Sequence, residues 1–184
     1  DIKHPSVREC LKYLKIKDGI EIVHNADLPA LSGLGSSSSF TVGLLNAFSA
    51  LKGKMLTKKE LTNDALIIEQ KKIGENVGSQ DQSAAAFGGL NRIDFGGQAE
   101  VVVNPIVLDK KYETNLQENF LLVFSGLSRK ADIVAKEQIS KIDLNKKKYE
   151  KIYNLVDKAE DILRKKKKFR YIWRIIKLSE GYKK

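Results

Sequence analysis

Glycine and serine are concentrated in one short stretch, Gly33-Leu34-Gly35-Ser36-Ser37-Ser38-Ser39, directly before an apolar helical pattern. Glycine lets a backbone turn tightly and approach a ligand closely, because it has no Cβ atom. The start of the next helix offers backbone N–H groups and the positive end of the helix dipole, and both favour a bound phosphate. The pattern therefore predicts a phosphate-binding loop made by Gly33, Leu34, Gly35, Ser36, Ser37 and Ser38.

Two common nucleotide-binding motifs are excluded at this stretch. It does not end in Gly-Lys-Ser/Thr, so it is not a Walker A loop. Ser38 occupies the position at which a dinucleotide-binding fingerprint requires its third glycine. A serine-rich helix cap without a ligand remains open as an alternative from these residues alone.

Two carboxylates follow at positions that suit phosphate chemistry. Glu69 lies in a predicted helix that opens on a capping box at 57–60 and ends at Gly74. Asp81 stands in the middle of Gln80-Asp81-Gln82, just before a predicted short helix at 82–87. The residues also allow a reading without a ligand, in which Asp81 is a helix N-cap and Glu69 is a solvated surface charge.

The longer pattern Pro29-x-x-x-Gly33-Leu34-Gly35-Ser36-Ser37-Ser38 resembles the phosphate loop of the GHMP kinase superfamily. That superfamily includes galactokinase, homoserine kinase, mevalonate kinase and phosphomevalonate kinase. Within it, Gln80-Asp81-Gln82 most resembles the sugar-kinase branch that phosphorylates D-glycero-D-manno-heptose 7-phosphate. Further segments resemble that branch, namely Leu28-Pro29, 40–46, 87–91 and Gly126-Leu127-Ser128-Arg129. The resemblance extends from about Pro5 to about Gln138.

The resemblance implies a role for each site residue. Backbone N–H groups of residues 33–38 would hold the phosphates of ATP, and Ser37 and Glu69 would be ligands of Mg²⁺. Asp81 would be the catalytic residue that orients the acceptor hydroxyl and accepts its proton. Arg129 would bind a substrate phosphate, because a guanidinium fork suits phosphate geometry. For Arg129, a surface charge at the start of a helix remains an equal alternative.

The chain has a mixed pattern of helices and strands. Helices are predicted near 6–14, 36–52, 57–73 and 82–87 and from residue 129 onward, and strands at 20–27, 90–95, 100–108 and 119–125. The resemblance implies an α+β, GHMP kinase-like fold. We expect a partial N-terminal, ATP-binding domain like domain 2 of ribosomal protein S5 over residues 1–112. The start of a helical, ferredoxin-like C-terminal domain would occupy residues 113–184, with the polar segment 109–118 at the boundary.

The family's early substrate-binding segment and its late glycine-rich motif have no counterpart in these 184 residues. We therefore expect an interior piece of a longer kinase, which begins at Asp1 rather than at a methionine. Two function hypotheses follow. In the first, the parent protein is an ATP-dependent sugar kinase that acts on a sugar or sugar phosphate. In the second, the chain is a catalytically incomplete module that binds a nucleotide or another anion.

Positive charge is concentrated in the last third of the chain. Residues 129–184 carry 19 lysines and arginines against 8 aspartates and glutamates, whereas residues 1–128 carry 14 against 15. Such asymmetry raises the hypothesis of a nucleic-acid partner. No nucleic-acid-binding motif accompanies the lysine runs, and lysine-rich helix faces are usually solvated, so we do not expect such a partner. The charge would instead attract ATP and a sugar phosphate.

The remaining composition predicts a cytoplasmic protein without a membrane span. No apolar run approaches the roughly 18 residues that a spanning helix needs. Cys10 is the only cysteine, which excludes an intrachain disulfide and suggests a small core residue. His4 and His24 have no cluster of ligands beside them, so we expect no zinc site. The oligomeric state is left open.

Overall fold

The computed structural model describes residues 2–17, 19–27, 33–96, 100–123, 135–136, 139–168 and 170–183. Its helices are α1 (Pro5–Tyr13), α2 (Ser36–Leu51), α3 (Lys58–Leu66), a π-helix (Ile67–Ile73), α4 (Gln80–Phe87), α5 (Lys110–Glu118), α6 (Ile142–Arg164) and α7 (Arg170–Lys183). Its strands are β1 (Asn91–Gly96) and β2 (Glu100–Pro105). The predicted α+β fold class is confirmed.

A hydrophobic core forms where α1, α2, α3 and the π-helix meet. Cys10, Leu45 and Ile68 are completely buried there. The apolar positions of α2 recur at helical spacing, which turns Leu45 and Phe48 towards α1 and the π-helix. Burial, together with the charge of Glu69, raises the pKa of the Cys10 thiol to about 12. Cys10 is therefore a neutral core residue, as the sequence predicts.

Helix α3 begins at the predicted capping box. The Oγ1 atom of Thr57 accepts from the backbone N–H of Glu60 at 3.2 Å, and the N–H of Thr57 donates to Glu60 Oε2 at 2.8 Å. The predicted helix over 57–73 does not stay α-helical, because residues 67–73 widen into a π-helix. Gly74 ends it in the left-handed conformation, with φ of 81°. Such widened turns are frequent at functional sites.

The two strands form an antiparallel hairpin, in which Ile93 pairs with Val103. The strand predictions at 90–95 and 100–108 are confirmed, although the second strand ends at Pro105. One backbone bond lies beyond this end, from Ile106 N to Leu90 O at 2.9 Å. Arg92 of β1 joins the hairpin to α6, with Nη1 2.6 Å from Asp157 Oδ1 and 2.9 Å from Glu160 Oε2.

The predicted strand at 20–27 is wrong, since this segment has no regular secondary structure and pairs with no strand among the described residues. The strand predicted at 119–125 is also wrong over 120–123, and its last two positions lie outside the described residues. Both segments are rich in β-forming residues, but a strand also needs a neighbour for its backbone hydrogen bonds. The side chains of Phe120, Leu121, Leu122 and Val123 are exposed.

The C-terminal part is helical, as predicted. Helix α6 packs against α7, and both carry exposed apolar side chains such as Leu144 and Trp173. The polar segment 109–118 is itself largely helix α5, which Asp109 caps by accepting from the N–H of Tyr112 at 2.8 Å. The domain division after residue 112 falls inside α5 and stays a prediction. None of the described helices is long and apolar enough to cross a membrane.

Candidate phosphate-binding site

The glycine-rich turn leads directly into α2. Gly33 and Gly35 have φ of 77° and 69°, values that glycine adopts far more readily than other residues. Gly35 is the N-cap of α2, and the first backbone bond of the helix runs from Ser39 N to Gly35 O at 2.9 Å. The N–H groups of residues 36–38 therefore precede the helical ladder and point towards an incoming anion. The first turn contains no acidic residue that would repel one.

Asp81 lies directly against this turn. A Cβ atom placed on Gly35 would stand 3.1 Å from Asp81 Cγ and 3.3 Å from Asp81 Oδ2. The approach is set by α4, which packs on α2 and α3. Helix α4 begins at Gln80 with Ser79 as its N-cap, so the alternative in which Asp81 caps a later helix is wrong. The Asp81 side chain is exposed beside the predicted phosphate loop.

Glu69 is the centre of a buried polar cluster. It is 1% exposed, so the alternative of a solvated surface charge is wrong. Ser38 Oγ donates to Glu69 Oε2 at 2.8 Å, and Gln82 Nε2 donates to the same carboxylate oxygen. Gln82 Nε2 also donates to Ser38 Oγ at 3.1 Å. Three elements, α2, the π-helix and α4, thus meet through these side chains.

Two buried oxygens of this cluster have no hydrogen-bond partner among the described residues. They are Glu69 Oε1 and Gln82 Oε1. A buried acceptor that is left unpaired is costly, and such atoms commonly face an ion or a water. Mg²⁺ prefers hard oxygen ligands and is commonly bound by one or two carboxylates together with phosphate oxygens. The donor set around Glu69 therefore fits a magnesium ion.

Ser37, a predicted magnesium ligand, and its neighbour Ser38 lie in different surroundings. Ser38 contacts Glu69, whereas Ser37 is exposed and accepts from Thr41 Oγ1 at 3.2 Å through its carbonyl oxygen. Neighbouring residues of a helix point about 100° apart, so only one of the two hydroxyls can face the π-helix. The described residues contain no group of three or more histidine, cysteine, aspartate or glutamate side chains arranged for a metal. Arg129 lies outside the described residues.

Gln82 is the site residue that sequence reasoning missed. It is 1% exposed, although glutamine is usually a surface residue. A signal was present, because Gln82, Ala85 and Ala86 have the spacing of one helix face and both alanines pack on the core. That spacing predicts that the Gln82 side chain turns inward and not towards solvent.

A groove of about 520 Å³ opens beside the glycine-rich turn. It runs between the segment 22–27 and α2, and its lining includes His24, Leu34, Phe40 and Gly43. The rings of Phe40 and His24 lie 4.7 Å apart. The volume is within the range of small-molecule pockets, roughly 300–1,000 Å³.

The segment that forms the candidate site is similar in sequence to a known protein family. Residues 5–89 match the family described as the GHMP kinases N terminal domain. These residues are thus similar in sequence to the N-terminal domain of GHMP kinases. The matched segment contains the glycine-rich turn, Glu69, Asp81 and Gln82, so the whole candidate site lies within it.

The similar proteins are themselves kinases. The chain is 33% identical over 117 residues to D-glycero-alpha-D-manno-heptose 7-phosphate kinase of Campylobacter jejuni, covering 64% of this chain and 34% of that protein. It is 28% identical over 158 residues to mevalonate kinase of Methanocaldococcus jannaschii, covering 84% and 46%. The crystal structure of a D-glycero-D-manno-heptose 1-phosphate kinase from Bacteroides thetaiotaomicron matches all of this chain and 56% of its own, with a TM-score of 0.76 and 26% identity.

These matches confirm the resemblance to GHMP kinases and to heptose phosphate kinases, and the fold that it implies. The chain spans about a third to a half of the length of the curated relatives that it matches.

Proposed function

We propose that this chain is part of a small-molecule kinase that transfers the γ-phosphate of ATP to a hydroxyl of a sugar or sugar phosphate. D-glycero-D-manno-heptose 7-phosphate is the first acceptor to test. The observation that carries the proposal is the contact between Asp81 and the turn at Gly35, which brings a carboxylate to a helix N-terminus suited to phosphate. The kinase names of the similar proteins support the same reaction class.

The chain's own groups suffice for two parts of the reaction. Backbone N–H groups of residues 36–38 would bind and orient the terminal phosphates of ATP. Asp81 would accept a hydrogen bond from the acceptor hydroxyl and take up its proton as that oxygen attacks the γ-phosphorus. Because Gly35 has no side chain, the phosphate and Asp81 can approach each other without obstruction.

Magnesium would be held by Glu69 and a serine of the loop, and in this reaction class it neutralises charge on the transferred phosphate. Ser37 is the serine that the resemblance implies, and Ser38 is the one in contact with Glu69. Burial and two hydrogen bonds hold the Glu69 carboxylate between α2 and α4.

Other parts of the molecule would bind the rest of the substrates. The groove beside the turn offers room for the nucleoside portion of ATP, with the Phe40 ring as an apolar surface. Arg129 would bind the phosphate of a phosphorylated sugar. We expect these reactions to take place in the cytoplasm, with no nucleic-acid partner.

The test is ADP release by the complete gene product with Mg-ATP and a panel of sugars and sugar phosphates. The decisive variant is Asp81→Asn. Its matched control is Asp143→Asn, because Asp143 is also an exposed aspartate in the first turn of a helix but belongs to α6. Both variants lose the same favourable interaction with a helix dipole.

We expect release that depends on one acceptor, falls at least about 100-fold in Asp81→Asn and is unchanged in Asp143→Asn. Equal activity in Asp81→Asn and the parent would remove Asp81 from the mechanism. Silence across the panel in a folded protein would favour the second hypothesis, a module that binds an anion without catalysis.

A further inference from the structure

Three polar atoms of the buried cluster stand in mutual contact. They are Glu69 Oε2, Ser38 Oγ and Gln82 Nε2, with a hydroxyl–carboxylate separation of 2.8 Å and an amide–hydroxyl separation of 3.1 Å. An octahedral Mg²⁺ with bonds of about 2.1 Å has neighbouring ligand atoms roughly 3.0 Å apart. Two sides of the triangle are therefore close to the separation of neighbouring ligands in a magnesium coordination shell, and the third, between Gln82 Nε2 and Glu69 Oε2, is shorter.

One atom of this triangle, Gln82 Nε2, cannot be a ligand of a cation. The amide nitrogen of Gln82 is a hydrogen-bond donor, and it faces two oxygens that could both be metal ligands. The oxygen of the same amide is buried, with no hydrogen-bond partner in the part of the chain that the structure describes. A half-turn about the Cγ–Cδ bond of Gln82 would exchange these two atoms, and the oxygen would give up no hydrogen bond in doing so.

Resting on the proposed function, we propose that Gln82 is a third protein ligand of the divalent cation. Without the cation, the amide nitrogen holds Glu69 and Ser38 in their ligating positions through two hydrogen bonds. When the cation binds, the amide turns, and a carboxylate, a hydroxyl and an amide oxygen form one face of its shell. The same side chain thus preserves the site when it is empty and completes it when it is filled.

The first experiment measures Mn²⁺ binding to the 184-residue chain without nucleotide, by electron paramagnetic resonance of the free ion. Gln82→Met keeps the length of the side chain but cannot offer a hard oxygen, and we expect its affinity to fall at least about tenfold. Gln82→Glu restores an oxygen at the same position and should bind at least as tightly as the parent chain. Circular dichroism establishes that each variant is folded.

The matched control is Gln70→Met. Gln70 follows Glu69 on the π-helix, and its amide donates to the carbonyl oxygen of Val77 at 2.9 Å, away from the cluster. The same change of side chain there should leave the Mn²⁺ affinity unchanged. An equal loss in both variants would show a general effect of the substitution and would overturn the proposal.

A measurement on the unaltered chain keeps the proposal testable if the Gln82 variants do not fold. In a ¹⁵N-labelled sample, the side-chain amide of Gln82 should shift when Mg²⁺ is added, because its nitrogen leaves Glu69 and Ser38. The amide of Gln70 should stay in place. If Mg²⁺ leaves the Gln82 amide unchanged, the proposal is overturned.

These outcomes are independent of turnover. Cation binding that weakens in Gln82→Met supports the ligand role even if no sugar releases ADP, in which case the proposed function fails alone. Conversely, ADP release by the complete protein, with equal Mn²⁺ affinity in the parent chain and Gln82→Met, removes Gln82 from the shell and leaves the kinase proposal intact.

Discussion

The body formed by α1–α4 and the α6–α7 helical pair differ in how they are held together. The first buries a continuous core in which Cys10, Leu45 and Ile68 are completely enclosed. Among the described residues of the second, only Leu155 and Ile162 are buried apolar side chains. A buried carboxylate such as Glu69 needs surrounding elements that fix its partners, and only the first body provides them. The candidate site therefore lies where the core is continuous, in the part of the chain that carries fewer lysines and arginines.

Several basic side chains of the second region form ion pairs at its surface. Lys165 and Lys167 pair with Asp161, and Lys166 pairs with Asp109 across to α5. The two lysines, Lys165 first, hold the pKa of Asp161 below its ordinary value. Exposed pairs of this kind contribute little to stability. The excess of lysine and arginine, which is the strongest feature of the composition, thus belongs to a solvated surface. The candidate site lies instead at the less conspicuous run of glycine and serine.

The largest effect is expected at the glycine that joins the loop to Asp81. In Gly35→Ala, a left-handed φ costs about 1–2 kcal/mol and the new Cβ presses on Asp81. Because small displacements of reacting groups are costly, ADP release should fall roughly 100-fold. Gly78→Ala is the control, since Gly78 has an ordinary φ and no atom near its Cβ position. Equal losses in both variants would mean that any added side chain in these loops lowers activity. That result would contradict a specific role for Gly35.

The next effect separates two adjacent serines. Ser38→Ala removes the hydroxyl that donates to the buried Glu69, so the free energy of unfolding should fall by about 1–3 kcal/mol. Ser37→Ala changes an exposed hydroxyl and should stay within about 0.5 kcal/mol of the parent chain. Denaturation in urea measures both values. The Mg²⁺ concentration that ADP release requires in the two variants then decides which serine is the ligand. If that concentration rises in Ser37→Ala alone, the ligand is Ser37, the residue that the family resemblance implies.

A smaller effect tests the bond between α1 and α3. Tyr13 Oη donates to Asp64 Oδ1 at 2.7 Å, and this bond, aided by burial, raises the pKa of Tyr13 to about 12. Tyr13→Phe should lower the free energy of unfolding by about 1 kcal/mol at neutral pH. The native state holds the phenolic proton more tightly than the unfolded chain, so the contribution is complete below pH 10.0 and is lost as the pH rises through about 12. A difference from the parent chain that stays constant through that range would contradict this account.

The smallest effect is expected where the hairpin of β1 and β2 meets α6. Arg92 first, and then Arg164, hold the pKa of Glu160 below its ordinary value. The pairing therefore contributes fully to stability at pH values above the ordinary pKa of glutamate. The contribution is lost as the pH falls through the lowered pKa of the folded state. Arg92→Met should increase proteolysis within α6 at neutral pH and low salt, and the increase should shrink in high salt. Lys165→Met is the control, because its pair with Asp161 stays within α6 and its flank. If both variants behave alike, Arg92 does not hold α6 to the hairpin.

Local signals account for what the sequence predicted well. The capping box at 57–60, the left-handed Gly74 and the hairpin strands depend on neighbouring residues, and each was found. The glycine turn and the helix start after it were also found. That they bind phosphate stays a prediction, which depends on the family resemblance as well as on the residue types.

Non-local contacts account for the rest. The segment 20–27 has the residues of a strand but no strand partner among the described residues. The widening at 67–73 and the inward position of Gln82 depend on how three elements meet, which no short pattern specifies. Which of Ser37 and Ser38 faces Glu69 depends on how α2 is rotated about its axis, because adjacent residues of a helix point about 100° apart.

The buried Cys10 gives this molecule an internal reporter. With a thiol pKa of about 12 and no exposure, almost no reactive thiolate is present at neutral pH, so a thiol reagent labels the chain only when α1 opens. Because Cys10 is the only cysteine, the labelling rate measures that single opening event without any engineered probe. Ligands that bind the closed form slow such events by mass action, so a decrease in the rate with added nucleotide or cation would report binding before any acceptor sugar is known.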